Sequence, residues 1–335
     1  MPSDEAQPSD ATQSSDATQP SDATQSSNEI RPVVDDSGRP VPAKAVPTNG
    51  NGGLLRVALP NKGSLSEATV DAFRAAGYRQ RSSTRELAIV DSSAGVEFYY
   101  LRPRDIATYV GEGTLDVGVT GQDLLTDSGS AARTILPLDY AQAEFRFAAA
   151  DRSIAQPEDL RGRRVATSYP NLVGRWLAEH GIDARLVALD GAVESSIRLG
   201  VADAIADVVE TGSTLRQNGL TIFGPVLLTS TAVMIARDGV DPALPVLDLM
   251  IRRLRGVMVA RNYLMVDYDV SAEAVDAATA LTPGLESPTV SPLARDGWFA
   301  VRAMVPRDRS QQLMDQLWEV GARAILLTDI HACRI

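Results

Sequence analysis

From Leu54 onward the chain alternates short apolar runs with stretches of helical periodicity, and nothing else in it narrows the possible folds so far. L-L-R-V-A-L-P reads as a short buried strand. N-K-G-S-L-S-E then leads into a helix through Val70 and Phe73 to Ala76, where Gly77 ends it. Further strands are expected at Leu87–Val90, Val96–Leu101, Asp116–Thr120 and Thr134–Leu138, with helices at Pro103–Val110 and Gly121–Leu125. A second unit of the same kind is expected from about Phe145. Its strands fall at Phe145–Ala149, Val165–Ser168, Ala184–Leu189 and Ala204–Val209, and its helices at Asn171–His180 and Ala192–Leu199. This order implies an α/β fold with largely parallel sheets. Leu220–Leu228 and Ala232–Ile235 are expected to return to the first unit. The result is two lobes, 54–143 with 220–261 and 144–219, and a cleft between them.

The pattern changes after a helix expected from Pro245 to Arg261. Strands at Tyr263–Val266, Pro288–Leu293, Trp298–Val305 and Ala324–Leu327 and helices at Ser271–Leu281 and Arg309–Val320 give the order β-α-β-β-α-β, a ferredoxin-like domain over 262–335. At the other end, residues 1–53 repeat a six-residue unit, P-S-D-A-T-Q from Pro8, S-S-D-A-T-Q from Ser14 and P-S-D-A-T-Q from Pro20. So short a period with almost no large apolar side chain cannot bury a core, and the segment is expected to be a disordered tail.

Charge and cysteine usage exclude several functions. A net charge of −11 argues against nucleic acid or an anionic membrane as the main partner, since both favour a basic face. One cysteine, Cys333, rules out an internal disulfide framework and fits a reducing compartment. No apolar run reaches the roughly 18 residues that would span a bilayer, and no secretion signal is read at the N-terminus, so a cytoplasmic protein is expected.

Asp207–Leu215, D-V-V-E-T-G-S-T-L, is where chemistry is expected. An apolar strand delivers two acids, Asp207 and Glu210, to a Thr-Gly-Ser-Thr turn that opens a helix. Small residues let backbone approach an anion, hydroxyls and N–H groups donate to it, and a helix N-terminus adds about half a positive charge. Such a turn is also an ordinary way to join a strand to a helix. Ligands of open α/β sheets sit beyond the carboxyl ends of strands, which is where this turn lies.

Read with what precedes it, the turn extends to Glu194, Gly200, Ala202, Ile205, Asp207, Val208, Thr211, Gly212, Thr214 and Leu215 at fixed spacing. This constellation resembles the signature of the ATP phosphoribosyltransferases, the enzymes that open histidine biosynthesis, in their long form with a C-terminal regulatory domain. V-A-L-P-N-K-G at Val57–Gly63, L-R-P-R-D-I at Leu101–Ile106, D-V-G-V-T-G at Asp116–Gly121, S-Y-P-N-L at Ser168–Leu172 and T-P-G-L-E-S-P-T at Thr282–Thr289 add to the resemblance.

The resemblance implies a two-lobed, periplasmic-binding-protein-like catalytic unit followed by a histidine-binding ferredoxin-like domain. It implies the joining of N1 of ATP to C1 of 5-phosphoribosyl 1-pyrophosphate with release of pyrophosphate, in the presence of Mg2+ held mainly by substrate phosphates. Glu210, Thr211, Gly212, Ser213 and Thr214 would cradle the 5-phosphate, and Asp207 with Glu194 would hold the ribose hydroxyls. Lys62 and Arg102 would meet phosphates from the first lobe. Tyr169 would line the cleft near the nucleotide, and Asp123 would meet adenine or a water on magnesium. Asp269, Leu285, Thr289 and Ala324 would hold the inhibitor histidine, and a homo-oligomer from dimer to hexamer is implied. Two lobes with a hinge are also the architecture of a solute-binding protein; the absent secretion signal and the E-T-G-S-T turn speak against that reading. A regulatory subunit without activity is disfavoured by the pair Asp207 and Glu210.

Overall fold

The computed structural model describes residues 53–209 and 211–334, all within the unit Val46–Ile335. The expected tail, except for Gly53, and the side chain of Glu210 therefore lie outside the described residues. The ordered chain begins with β1 (Leu55–Pro60), α1 (Ser64–Ala75), β2 (Ala88–Asp91), β3 (Val96–Leu101), α2 (Pro103–Gly111), β4 (Val117–Gly121), α3 (Gln122–Ser128) and β5 (Arg133–Pro137). It continues through β6 (Ala143–Ala149), β7 (Arg164–Thr167), α4 (Pro170–Glu179), β8 (Arg185–Ala188), α5 (Ser195–Arg198), β9 (Ala204–Val209), α6 (Ser213–Gln217) and β10 (Thr221–Ser230). β11 (Ala232–Ala236) and α7 (Pro245–Asn262) follow.

The first sheet has the order β2-β3-β1-β4-β11-β5, and the second β10-β6-β9-β7-β8. β1 runs parallel to β3 and β4, and β9, β7 and β8 are mutually parallel, whereas β2, β6 and β11 each run against a neighbour. Apolar residues on both faces of the central strands explain the layering. Leu59, Phe73, Phe98 and Met250 close one side of the first sheet under α1 and α7, while Ala58, Ile106 and Val110 close the other under α2. The second lobe has its own core around Phe145, Phe147, Val173 and Leu177.

One expectation fails here. The strand from Leu220 does not return to the first lobe: β10 pairs antiparallel with β6 from Thr221 to Ser230, and only β11 joins the first sheet. Phe223 stacks on Phe147 at 5.7 Å, and β10 covers the open edge of β6. An apolar run says that a strand is buried but not in which of two cores, so the lobe boundary belongs at residue 231 instead of 220. The lobes are joined at 138–142 and at Thr231. There Leu138 N–H donates to Ala232 O at 2.9 Å and Ala232 N–H to Tyr140 O at 2.9 Å. Asp139 and Ala141, at φ 50° and 52°, take the left-handed conformation that turns the chain between the sheets.

The C-terminal domain comprises β12 (Tyr263–Ser271), α8 (Val275–Leu281), β13 (Thr289–Pro292), β14 (Trp298–Pro306), α9 (Ser310–Glu319) and β15 (Arg323–Asp329). Its sheet order β13-β14-β12-β15 is wholly antiparallel, the ferredoxin-like arrangement. Val266, Tyr268, Val301 and Leu317 form the core between sheet and helices. α8 starts later than the expected Ser271. That residue remains in β12 opposite Trp298, and the helix begins four residues later. Among the described residues no helix is long and apolar enough to cross a membrane.

Candidate active site

The β9–α6 turn forms a recess. Gly212 sits at φ 68°, and a Cβ there would find only ordinary contacts, so the glycine answers the backbone angle and not a shortage of space. Thr211 Oγ1 and Ser213 Oγ lie 3.0 Å apart, and Arg216 Nη2 donates to Thr211 O at 3.2 Å, which stiffens the turn. α6 has five residues, too short for the helix-dipole contribution expected from sequence. What remains for an anion is the turn's N–H groups and hydroxyls. Glu194, Asp207, Thr211, Gly212, Ser213 and Thr214 together line one cavity of about 450 Å³. The fold thus gathers six of the expected site residues.

Asp207 is held at the end of β9 by pairing with Arg146 of β6. Burial pushes its carboxyl up to about 6; the Val208 N–H, 2.8 Å from Oδ1, works against this, and the charges of Glu194 and Asp123 add to it. An acid in this state favours a partner that brings donors or positive charge. Ligand hydroxyls and a cation are the two chemical options.

Lys62 and Arg102 of the first lobe line a larger cavity of about 590 Å³ with Arg104, Ser168 and Asp190. Arg102 is placed by the exit of β3, immediately ahead of Pro103 at the start of α2. A third cavity, about 230 Å³, shares Lys62 with that space and Val208 with the turn, and contains Asp123, Tyr169 and Ser230. Asp123 is buried, with Oδ1 accepting from Ser230 Oγ at 2.7 Å. Tyr169 lines the same cavity from the other lobe. Burial first, then the charges of Asp123 and Asp207, raise the Tyr169 phenol well above its ordinary value. Tyr169 also packs edge-on against Phe145 at 5.0 Å.

Sequence reasoning missed Arg104, Asp127 and Ser230. Arg104 stood inside the L-R-P-R-D-I motif, two residues past Arg102, and its place in the first turn after a strand's carboxyl end was a usable signal. Asp127 and Ser230 carried none, because their partners lie 44 and 107 residues away. In the C-terminal domain, Asp269 and Thr289 lie on the sheet face away from the helices, and Leu285 is exposed in the preceding loop. Ala324 occupies a bulge of β15 at φ 50°.

Comparison with known proteins bears on the whole described region. The model of the ATP phosphoribosyltransferase family matches residues 102–256, and that of its C-terminal domain matches 260–332. The ATP phosphoribosyltransferase of Pseudarthrobacter chlorophenolicus is 57% identical over 284 residues, covering 84% of this chain and 100% of its own. That of Salinispora tropica is 56% identical over 282 residues with the same coverage. A chain of the ATP phosphoribosyl transferase (HisG:HisZ) complex from Thermotoga maritima shares the fold at TM-score 0.52 and 24% identity, over 61% of this chain and 98% of that one. Matched by both family models and more than half identical to these enzymes over their whole length, the chain belongs to the ATP phosphoribosyltransferase family, the long form with a C-terminal domain.

Proposed function

We propose that the cleft joins N1 of ATP to C1 of 5-phosphoribosyl 1-pyrophosphate, as the first step of histidine biosynthesis, and that histidine inhibits the reaction from the C-terminal domain. The shared cavity of Glu194, Asp207 and Thr211–Thr214, linked to the cavity of Lys62 and Arg102 through a third that contains both Lys62 and Val208, is the observation that carries this reading. In the reaction the N1 lone pair forms the new bond to C1 while the C1–O bond breaks and its electrons leave with pyrophosphate. The turn would receive the 5-phosphate. Asp207, with Glu194 beside it, would accept hydrogen bonds from the ribose hydroxyls and steady the positive charge that grows at C1. Lys62 and Arg102 would neutralise the departing pyrophosphate and the nucleotide phosphates. Asp123 and Tyr169 would position the adenine between the lobes. Alignment of this kind contributes up to roughly 7–11 kcal/mol when both reactants are held in line.

Mg2+ fits this site as a passenger on the substrate phosphates. A divalent cation would relieve the Asp207 carboxyl, which burial and then the charge of Glu194 push up, and these two side chains are the ones that would face it. It would supply charge neutralisation on the pyrophosphate.

The bulge at Ala324 and the open face carrying Asp269 and Thr289 support an amino-acid ligand, with Asp269 pairing the effector's positive charge. Exposed Trp318 and Leu326 on the same domain support a homo-oligomer, from dimer to hexamer. A single cysteine supports a cytoplasmic setting. The test is to incubate purified protein with ATP, Mg2+ and phosphoribosyl pyrophosphate, adding pyrophosphatase, and to follow pyrophosphate and the adenine absorbance. Turnover is expected, with histidine suppressing it in the wild type and much less in Asp269→Ala. Absence of both signals overturns the reaction; equal inhibition of the two proteins overturns the effector site.

A further inference from the structure

A line of first-lobe side chains, Arg104 and Asp127 at its centre, reaches across to the second lobe along one flank of the cleft. Asp127 of α3 is 3% exposed although it reaches into the other lobe, where Oδ1 accepts the N–H groups of Asn171 and Leu172, each at 3.0 Å. It thereby caps α4 from across the cleft, a duty ordinarily met by the helix's own N-terminal residue. Its Oδ2 accepts from Arg104 Nη1 at 2.8 Å. Arg104 Nη2 donates to Ser168 O at 2.6 Å, and its guanidinium lies 5.0 Å from the centre of the Tyr169 ring. Tyr169 shares a cavity with Asp123, whose Oδ1 accepts from Ser230 Oγ beside the crossing between the lobes. Asn171 Nδ2 to Asp127 O at 2.9 Å and Arg175 Nη2 to Thr126 O at 3.2 Å complete the seam.

Two crossings alone would leave the lobes free to swing. A third attachment removes much of that freedom, because opening the flank would take the Asp127 carboxylate away from Asn171 and Leu172 and leave two N–H groups of α4 without their cap. We propose that Arg104 and Asp127 are positioning residues that set the width of the cleft, so that Lys62 and Arg102 face the Asp207–Thr214 recess at a fixed separation before substrate arrives. This rests on the phosphoribosyl-transfer reading, since it says what the fixed separation is for. The recess is built by the second lobe alone. Losing the seam therefore leaves the 5-phosphate and ribose contacts of phosphoribosyl pyrophosphate in place and spoils the alignment of its pyrophosphate and of ATP with Lys62 and Arg102.

Arg104→Ala, Arg104→Lys, Asp127→Asn and the double variant Arg104→Ala with Asp127→Asn test this in the full chain. Arg104→Ala is expected to lower kcat by roughly ten- to a hundred-fold, the scale of an ångström-sized misplacement, with KM for phosphoribosyl pyrophosphate changed by less than about three-fold. Arg104→Lys, which keeps a donor for Asp127, should recover much of kcat. The double variant should lose no more than the worse single one, as members of one unit do. Hydrogen exchange supplies a readout that needs no turnover. The amides of Asn171 and Leu172, which Arg104 does not touch, should exchange faster in Arg104→Ala. Unchanged exchange there, a KM rising in step with the fall in kcat, or Arg104→Lys as poor as Arg104→Ala overturns the proposal. If the wild type itself transfers no phosphoribosyl group, the functional reading fails, and the exchange measurement still decides whether the seam holds the lobes.

Discussion

At the scale of single residues, Asp207 carries the clearest conflict between stability and function. Its carboxyl titrates near 6 in the folded protein and near the ordinary 3.8 unfolded. Between those values the folded state binds more protons, so stability falls as pH rises through the window and stays lowered above it. Ionised Asp207 thus costs about 1–3 kcal/mol at neutral pH. Asp207→Asn should raise the melting temperature of the ligand-free protein at pH 7.5 and leave it nearly unchanged around pH 4, while kcat/KM for phosphoribosyl pyrophosphate collapses. In the wild type that same kcat/KM should climb with pH through about 6, where the acceptor becomes charged. A variant with equal melting shifts at both pH values would remove the burial penalty from the account.

At the scale of elements, the D-V-G-V-T-G run shows how much a local pattern holds. Its apolar alternation announced β4, yet the reason for Gly118 lies in α2. A Cβ at Gly118 would meet Ile106 Cγ2 at 2.6 Å, Val110 Cγ2 at 3.1 Å and Ala58 Cβ at 3.2 Å. The glycine lets α2 lie flat on the sheet, and α2 carries Arg104 and follows Arg102. Gly118→Ala should cost about 1–3 kcal/mol by overpacking, read by urea unfolding, and lower turnover through the displaced arginines. Ile106→Ala should then cost less in the Gly118→Ala background than alone; simple additivity would show that the helix does not bear on this glycine. The β9–α6 recess was legible for the opposite reason, because its strand, positive-φ glycine and hydroxyls are contiguous in the chain. Glu194 joined it through recognisable spacing. β10 was misassigned to the first lobe because both cores accept the same apolar strand. The seam itself was invisible because Arg104 and Asp127 of the first lobe meet Ser168, Tyr169, Asn171 and Leu172 of the second only after folding, across separate stretches of sequence.

At the scale of the molecule, the question is how the C-terminal domain grips the lobe in front of it. β12 leaves α7 directly, and Arg307 Nε reaches back to Arg261 O at 2.9 Å while its Nη2 pairs with Asp329 at 2.8 Å. Beyond β15 the chain turns back onto α7, where Cys333 O lies so near Gly256 that a methyl there would collide with it. Arg334 comes close enough to oppose the rise of the Tyr78 phenol, which burial pushes up to about 12. Two effects compete in Gly256→Ala. Within a helix the change to alanine is favourable by about 1 kcal/mol, and the collision pushes the last residues off α7. The collision acts on a chain end, which can move away at little expense, so the two should separate instead of cancelling. We expect overall unfolding to be unchanged or slightly delayed, while Cys333, the one cysteine, reacts with a thiol reagent about ten-fold faster as local opening grows easier. Loss of global stability with unchanged thiol reactivity would mean that the end segment is fixed to α7 more firmly than to its own domain. The tight contact would then brace the helix.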